Sequence, residues 1–197
     1  MEDTLTTPVD GRRSDGADAA PLSDAITLCL VRHGETDWNR EGRLQGREDV
    51  PLNARGREQA RLAAVFLASR RWDAVITSPL ARASETARII ADRLGVAEVV
   101  RMEEFTERDY GAAAGLTPRE REERYPGAEW PGLEPRESVT GRCRAGLRLL
   151  EERYPGRRVV VVSHGAAINA ILALLSGGEI GTGKTSLGNA CISALRF

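Results

Sequence analysis

The two histidines of the chain stand in matching local contexts. Each follows an apolar run and one polar residue and is itself followed by glycine, in Val31-Arg32-His33-Gly34 and in Val162-Ser163-His164-Gly165. A neutral imidazole has a nitrogen lone pair that acts as a nucleophile or a base near neutral pH. A single histidine at a strand end is more often a simple cap, but two identical contexts in a chain with no other histidine favour a shared chemical site.

Short β-branched runs and longer helical patterns alternate along the rest of the chain. Strands are predicted over residues 26–31, 74–77, 97–101, 159–162 and 190–197. Helices are predicted over residues 53–69, 79–94 and 166–175, and across the apolar positions between 139 and 150. In the first of these helices, Leu62, Val65 and Phe66 are expected on the face that packs inward. This alternation predicts an α/β fold, a three-layer sandwich with a mostly parallel central sheet flanked by helices on both faces.

The predicted sheet explains how the two histidines meet. In an open α/β sheet, ligands bind outside the carboxyl ends of the strands. His33 and His164 are 131 positions apart (164 minus 33), yet each comes at the end of a predicted strand. We therefore expect both imidazoles at one crevice, where the glycines that follow them let the backbone approach a ligand closely.

Length and composition fit one catalytic domain preceded by a tail. Of the 197 residues, the first 24 carry six acids and two arginines and little apolar surface, which predicts a disordered N-terminal tail over 1–24 and a single domain over 25–197. A net charge of −1 gives no reason to expect nucleic acid or an anionic membrane as partner. The sequence shows neither a secretory signal nor an apolar run long enough to span a membrane, and its three cysteines suit a reducing compartment, so a cytoplasmic location is expected.

Four linked motifs resemble the histidine phosphatase superfamily, which also contains the cofactor-dependent phosphoglycerate mutases. They are Arg32-His33-Gly34-Glu35-Thr36-Asp37-Trp38-Asn39 with Gly42-Arg43-Leu44-Gln45-Gly46, Thr77-Ser78-Pro79-Leu80-Ala81-Arg82-Ala83-Ser84-Glu85-Thr86-Ala87, Glu107-Arg108-Asp109-Tyr110-Gly111, and Ser163-His164-Gly165. These motifs stand in the order of the family and span most of the chain from residue 26 onward. A lone Arg-His-Gly would be weak evidence, but four motifs in register are specific.

The resemblance implies a role for each site residue. His33 becomes a phosphohistidine, and His164 lies across the phosphate as an imidazolium that stabilises the equatorial oxygens. Arg32 and Arg82 supply planar N–H donors that match phosphate oxygens, and Glu107 serves as general acid and then base. The expected catalytic residues are thus Arg32, His33, Arg82, Glu107 and His164.

Substrate-binding roles extend to a second group of residues. Asn39 and Gln45 match family positions that donate hydrogen bonds to phosphate, although bracing of the loop is an equally good interpretation. The full expected substrate-binding set is Arg32, Asn39, Gln45, Arg82, His164 and Gly165. Structural support is expected from Glu35, Trp38, Ser78 and Glu85. No cluster of His, Cys or carboxylate residues has the spacing of metal ligands, so a metal-independent reaction without a cofactor is predicted.

The resemblance leaves the fate of the phosphoryl group open. Mutases carry a longer insertion between the glutamate motif and the second histidine, whereas here only 52 residues separate Gly111 from His164. They also use a lysine that this chain lacks, since its one lysine is Lys184. A phosphatase acting on a small phosphate monoester is therefore favoured, with a phosphoglycerate mutase as the alternative and a non-catalytic phospho-ligand binder less favoured. The oligomeric state cannot be read from the sequence.

Two segments do not fit the family pattern simply. Glu134-Pro135-Arg136-Glu137-Ser138 stands where many relatives have Gly-Gly-Glu-Ser, which leaves the loop shape and the substrate specificity open. The leaving group is expected to be recognised by residues 111–136. Gly178-Glu179-Ile180-Gly181-Thr182-Gly183-Lys184-Thr185 fits the P-loop pattern, but a predicted helix precedes it where a P-loop needs a strand. We therefore interpret it as a glycine-rich connection and not as a nucleotide site.

Overall fold

The central sheet contains five strands. The computed structural model describes residues 25–127 and 129–197, so the tail predicted over residues 1–24 lies outside the described residues. The strands are β1 (Thr27–Arg32), β2 (Ala74–Thr77), β3 (Val99–Arg101), β4 (Arg158–Ser163) and β5 (Ile192–Arg196). Their order across the sheet is β3-β2-β4-β1-β5. β5 pairs antiparallel with β1, and the other neighbours are parallel.

Helices cover both faces of this sheet. They are α1 (Asp37–Arg40), α2 (Ala54–Leu67), α3 (Ala81–Leu94), α4 (Pro118–Arg124), α5 (Arg136–Arg153) and α6 (Gly165–Leu175). One core packs α2 and α3 against strand residues such as Val31, Val75 and Val160. The other packs α5 and α6 against the alternate strand positions, such as Leu30 and Val161. Because successive strand residues point to opposite faces, this division confirms the predicted three-layer α/β sandwich.

Several helix ends follow the capping signals in the sequence. The side chain of Asn53 accepts a hydrogen bond from the Gly56 N–H, as expected of an N-cap. Gly95 ends α3 at a φ of 70°, a conformation that glycine adopts at little cost. The short helices α1 and α4 begin with capping boxes and bury no residue, so they carry no apolar periodicity by which they could have been predicted.

The predicted inward face of α2 is wrong. Leu62, Val65 and Phe66 are 62%, 58% and 67% exposed, and small residues instead pack the other side of the helix. The reason lies at Gly56, where an added Cβ would come within 2.1 Å of the Glu35 carbonyl oxygen. The backbones approach too closely at Gly56 for a large side chain, so glycine and alanine occupy the buried stripe up to its last residue, Leu67.

Within residues 25–127 and 129–197, none of the helices has both the length and the apolarity that crossing a membrane requires.

Candidate active site

The register of the sheet sets the two histidines side by side. β1 and β4 pair in parallel with Arg32 opposite Ser163, so the next residue of each strand is a histidine. The His33 N–H donates to the Ser163 carbonyl at 2.9 Å and continues the ladder. The two ring centroids are 5.1 Å apart, close to the roughly 4.8 Å between neighbouring strands. Both rings are almost completely buried.

The surroundings of His33 leave one ring nitrogen free to react. Its Nδ1 lies 2.7 Å from the Gly34 carbonyl oxygen, and because that oxygen only accepts, Nδ1 carries the hydrogen. The lone pair is then on Nε2, to which the Nε–H of Arg82 donates at 3.3 Å. Burial lowers the pKa of His33 well below 6.5, and the positive charges of Arg82 and Arg32 lower it further. His33 is therefore a neutral imidazole with its lone pair on Nε2.

His164 is also neutral when no anion is bound. Burial, followed by the positive charge of Arg82, lowers its pKa well below 6.5. Its Nε2 lies 2.8 Å from the Ser78 hydroxyl, and its buried Nδ1 has no partner among the described residues. The positive charge expected of His164 thus requires that a bound anion first raise its pKa.

The two arginines differ in how many donors they leave free. Arg82 is fully buried, and its terminal nitrogens donate to the Glu48 and Gly46 carbonyls, both at 2.7 Å. Burial lowers the pKa of Arg82 to about 10, although the negative charges of Glu107 and Asp49 raise it, so the guanidinium stays charged at neutral pH. Arg32 donates through Nη1 to the Leu187 carbonyl, while its buried Nε has no partner within residues 25–127 and 129–197.

Glu107 lies against the N-terminus of α6. Its carboxylate accepts hydrogen bonds from the N–H groups of Arg108, Ala166 and Ala167 at 2.9, 3.1 and 3.3 Å. Free N–H groups and the helix dipole both favour a negative charge at this end of a helix. A Cβ added to Gly165 would lie 3.8 Å from Glu107 Oε2 and 3.9 Å from Arg32 Nε. The glycine thus leaves space between the carboxylate and the guanidinium.

Asn39 braces the loop and still offers a donor. Its Oδ1 accepts from the N–H and hydroxyl of Thr36 and from Asn189 Nδ2, each at 3.1 Å. No described residue accepts from its Nδ2, which remains available at the cavity wall. Gln45 is buried beside the same cavity, and its Oε1 has no partner among the described residues.

A cavity of about 580 Å³ joins these groups, within the usual range for small-ligand sites. Its wall contains all the predicted site residues except His164, namely Arg32, His33, Asn39, Gln45, Arg82, Glu107 and Gly165. Residues 111–136 are expected to recognise the leaving group, and of the described residues of that segment only Arg136 lines the cavity. Further lining comes from α6 and the following loop, through Asn169, Thr182, Gly183, Thr185, Ser186 and Leu187.

Glu134 and Arg142 hold the segment that carries Glu107. Glu134 accepts from Arg142, from the Asp109 N–H and from the Ser138 hydroxyl. Burial alone would raise the pKa of Glu134, but these hydrogen bonds hold it at about 2. Arg142 also donates to the carbonyl of Thr106. The sequence departure around Glu134 therefore fixes the backbone on both sides of Glu107.

The four residues expected to give structural support contact neighbouring parts of the fold, and one of them, Ser78, also contacts a catalytic candidate. Glu85 pairs with Arg57 at 2.6 Å and joins α3 to α2, while Glu35 accepts from Asn53 at 3.0 Å. Trp38 packs beside Gly115. Ser78 does more, because its hydroxyl bonds to His164. Its place directly after β2 was the signal for this role, since β2 neighbours β4.

Two further features of the described residues bear on the chemistry. No group of three or more His, Cys, Asp or Glu side chains there could hold a metal ion. The P-loop-like segment follows α6 and precedes β5, so it lacks the preceding strand of a nucleotide site. Its Lys184 donates to the Gly178 carbonyl at 2.6 Å.

The α/β fold and the two buried histidines, with arginines and a glutamate beside them, are typical of the histidine phosphatases. Comparison with known proteins agrees. The model of the histidine phosphatase superfamily (branch 1) matches residues 28–197, and the chain belongs to this family. It is 46% identical over 170 residues to the Bacillus subtilis protein named Uncharacterized phosphatase PhoE, covering 86% of this chain and 88% of that protein.

Two other similarities extend the comparison. Phosphoglycerate mutase-like protein 4 of Arabidopsis thaliana is 36% identical over 161 residues, which cover 75% of this chain and 70% of that protein. The solved structure of a mycobacterial glucosyl-3-phosphoglycerate phosphatase with VO3 has a TM-score of 0.78 at 31% identity, covering 85% of this chain and 90% of that chain. The family thus includes relatives named for phosphatase and for mutase activity.

Proposed function

We propose that this chain is a phosphatase that hydrolyses a small-molecule phosphate monoester through a phosphohistidine on His33. The observation that carries the proposal is the neutral His33 ring, whose Nε2 lone pair lies beside Arg82 in a cavity that also holds Arg32 and Glu107. Fixed cations attract the phosphate dianion, while the low pKa of His33 keeps its lone pair free.

The first half of the reaction transfers the phosphoryl group to the enzyme. Arg32, Arg82 and the side-chain amides of Asn39 and Gln45 hold the phosphate oxygens. The phosphate dianion that binds beside Glu107 favours its protonated form, so the carboxyl group takes up a proton from solvent. His33 Nε2 then attacks phosphorus, the P–O bond to the alcohol breaks, and the leaving oxygen takes that proton. As the dianion settles over His164, it favours protonation of that ring, which then stabilises the equatorial oxygens.

The second half returns the enzyme to its starting state. Glu107, now a carboxylate, takes a proton from water as the water oxygen attacks phosphorus. The bond between phosphorus and Nε2 breaks and the neutral imidazole of His33 is restored. As inorganic phosphate leaves, His164 releases the proton that the bound anion had favoured. The Nδ1–H of His33 stays bonded to the Gly34 carbonyl throughout, so the ring keeps its orientation.

A mutase remains the second candidate, because Phosphoglycerate mutase-like protein 4 of Arabidopsis thaliana and several other relatives are named for that activity. Only 52 residues separate Gly111 from His164, which leaves no room for the longer insertion by which mutases cover the site, and this favours water as the acceptor. A mutase would instead transfer the phosphoryl group between positions of phosphoglycerate and require a bisphosphate primer. Product analysis with phosphoglycerate, with and without the bisphosphate, separates the two reactions.

Removal of His33 tests the chemistry. We expect the wild-type protein to release phosphate from p-nitrophenyl phosphate in the presence of a chelator, and His33→Ala to lower kcat at least about a thousandfold. Circular dichroism and the melting temperature establish that the variant is folded. Loss of the wild-type activity on chelation, or retained turnover in folded His33→Ala, contradicts the mechanism.

Replacement of Glu107 tests its role as the acid. Nitrophenolate leaves without a proton, whereas an alkoxide needs one. We therefore expect Glu107→Gln to lower kcat/KM for propyl phosphate at least about tenfold more than for p-nitrophenyl phosphate. Equal losses on the two substrates would show that Glu107 is not the proton donor.

We also propose a cytoplasmic location. Cys29 and Cys143 are free and buried, and burial raises the pKa of both thiols to about 12, which suits a reducing compartment.

A further inference from the structure

Asn169 presents an unused hydrogen-bond acceptor at the cavity. Its Nδ2 donates to the Thr185 backbone carbonyl at 3.2 Å, and because a carbonyl only accepts, this contact fixes which end of the amide is oxygen. Its Oδ1 is buried and has no partner among the described residues, although the residue lines the cavity. A buried acceptor without a partner is costly, so a donor on the bound ligand would offset that cost.

Asn169 lies where the alcohol portion of the substrate must extend. It follows Gly165 by one helical turn of α6, a rise of about 6 Å from the phosphate end of the cavity. Ala170 and Ala173 line the same stretch and leave room above the helix. The leaving group of a phosphate held by Arg32 and Arg82 thus has an open path to Asn169.

The P-loop-like segment forms the opposite wall. A Cβ on Gly181 would come within 2.3 Å of the Asn169 carbonyl oxygen, so glycine is needed for the loop to lie against α6. The Thr182 N–H donates to that same oxygen at 3.2 Å, and Thr185 Oγ1 accepts from the Gly181 N–H at 2.8 Å. Thr182, Thr185 and Ser186 all line the cavity.

Apart from Glu107, the charged side chains that line the cavity are all arginines, namely Arg32, Arg43, Arg82, Arg108 and Arg136. Lys184 is tied back to the Gly178 carbonyl and is not among the lining residues. Glu107, at the phosphate end, is the one carboxylate in the wall among the described residues. An ammonium group beside Asn169 would therefore have no balancing charge, whereas a hydroxyl group suits a neutral acceptor.

We propose that Asn169, Thr182, Thr185 and Ser186 form a leaving-group subsite that takes a hydroxylated alcohol, with a substrate hydroxyl donating to Asn169 Oδ1. The segment that resembles a P-loop thus serves substrate selection and binds no nucleotide. This proposal rests on the proposed phosphatase activity and assigns the substrate class, the phosphate monoesters of small polyols.

Two alkyl phosphates that differ only in hydroxyl groups test the subsite. We expect wild-type kcat/KM to be at least about fivefold higher for glycerol 1-phosphate than for propyl phosphate, since one buried hydrogen bond to an uncharged group is worth about that factor. In Asn169→Ala this ratio should fall to about one, because glycerol 1-phosphate loses the acceptor for its hydroxyl group whereas propyl phosphate has no such hydroxyl to lose. Lys184→Met, a change in the same loop outside the cavity, should keep the wild-type ratio.

Each other outcome counts against a specific claim. A purely structural Asn169 would lower both alkyl substrates equally and preserve the ratio, which would overturn the subsite. A wild-type enzyme that hydrolyses p-nitrophenyl phosphate but does not prefer glycerol 1-phosphate overturns the subsite and leaves the phosphatase intact. Failure of the wild type on all three substrates overturns the proposed function, and the subsite falls with it.

Discussion

Burial and neighbouring charge together decide the protonation of the two histidines. His33 and His164 lie among guanidinium groups in the interior, so the neutral form of each is favoured over the charged form. For His33 this state preserves the nucleophilic lone pair. For His164 the low pKa keeps the ring neutral until a bound anion raises that pKa. The site therefore gains this further positive charge only when it is occupied.

The same pKa shifts predict how stability depends on pH. Below pH 6.5, the ordinary histidine pKa, the unfolded chain takes up protons on His33 and His164 that the folded chain does not. The free energy of unfolding should therefore fall as the pH falls from 6.5, by up to about 1.4 kcal/mol per pH unit for each histidine. Urea denaturation between pH 7.5 and 5 measures this slope.

Replacement of one histidine tests whether the two buried rings cause this pH dependence of the free energy of unfolding. His164→Asn should reduce the dependence by about half, because one of the two titrating rings is gone. Stability that stays constant, or that rises, as the pH falls through this range would contradict the buried neutral pair.

At the level of single residues, the sequence pointed to candidates for the reacting groups but not to the contacts that hold them. His33, Arg82 and Glu107 belong to motifs whose chemistry requires those side chains. Ser78 and Asn169 act through contacts 86 and 16 positions away along the chain, which no local pattern encodes. The neutral state of His164 without a bound phosphate was also not readable from the sequence, because it depends on burial and on neighbours that only the fold supplies.

Among the elements, α2 shows why apolar periodicity alone can select the wrong face. Two stripes run along this helix, one of large side chains and one of glycine and alanine. Hydrophobicity favours the large stripe, but the backbone contact between Gly56 and the Glu35 carbonyl requires the small one. By contrast, the predicted apolar face of α5 is buried, as is the continuous apolar run of β4. In both elements the large apolar side chains themselves fill the core.

Adjacent residues of α2 make this corrected face measurable. Leu67 is 2% exposed and Phe66 is 67% exposed, so their truncations should differ although they are neighbours. Leu67→Ala should lower the free energy of unfolding by about 2–5 kcal/mol, whereas Phe66→Ala should change it by less than about 0.5 kcal/mol. Chemical denaturation of the two purified variants provides the comparison, and a larger loss for Phe66→Ala would restore the original face.

On the scale of the whole molecule, the site lies at the carboxyl ends of β1 and β4 near the middle of the sheet. This position follows from the order of the strands in the sheet. The alternating sequence pattern predicted a mostly parallel sheet but not the order of its strands. The position of each histidine at the end of a predicted strand was enough to predict that the two lie close together. The cavity wall was not predictable in the same way, because its distal part comes from a loop that reaches the site only after α6 and β5 have packed.

The cationic site should make the stability of the whole protein depend on phosphate. Inorganic phosphate at 100 times its dissociation constant should raise the free energy of unfolding by about 2.7 kcal/mol. Thermal unfolding at pH 7.5 in phosphate and in chloride at equal ionic strength measures this effect, and Arg32→Gln should reduce it. An equal shift in chloride would mean that the site has no preference for phosphate.

The carbonyl of Leu187 accepts a hydrogen bond from the Arg32 guanidinium. This contact joins the end of β1 to the connection between α6 and β5. Every candidate catalytic residue lies at or before residue 164, yet the connection over residues 178–187 still shapes the site through its backbone. A replacement for this connection must deliver a backbone oxygen to Arg32, as Leu187 does, or the guanidinium loses its anchor. It must also keep a residue without a side chain at Gly181, where the connection lies against α6.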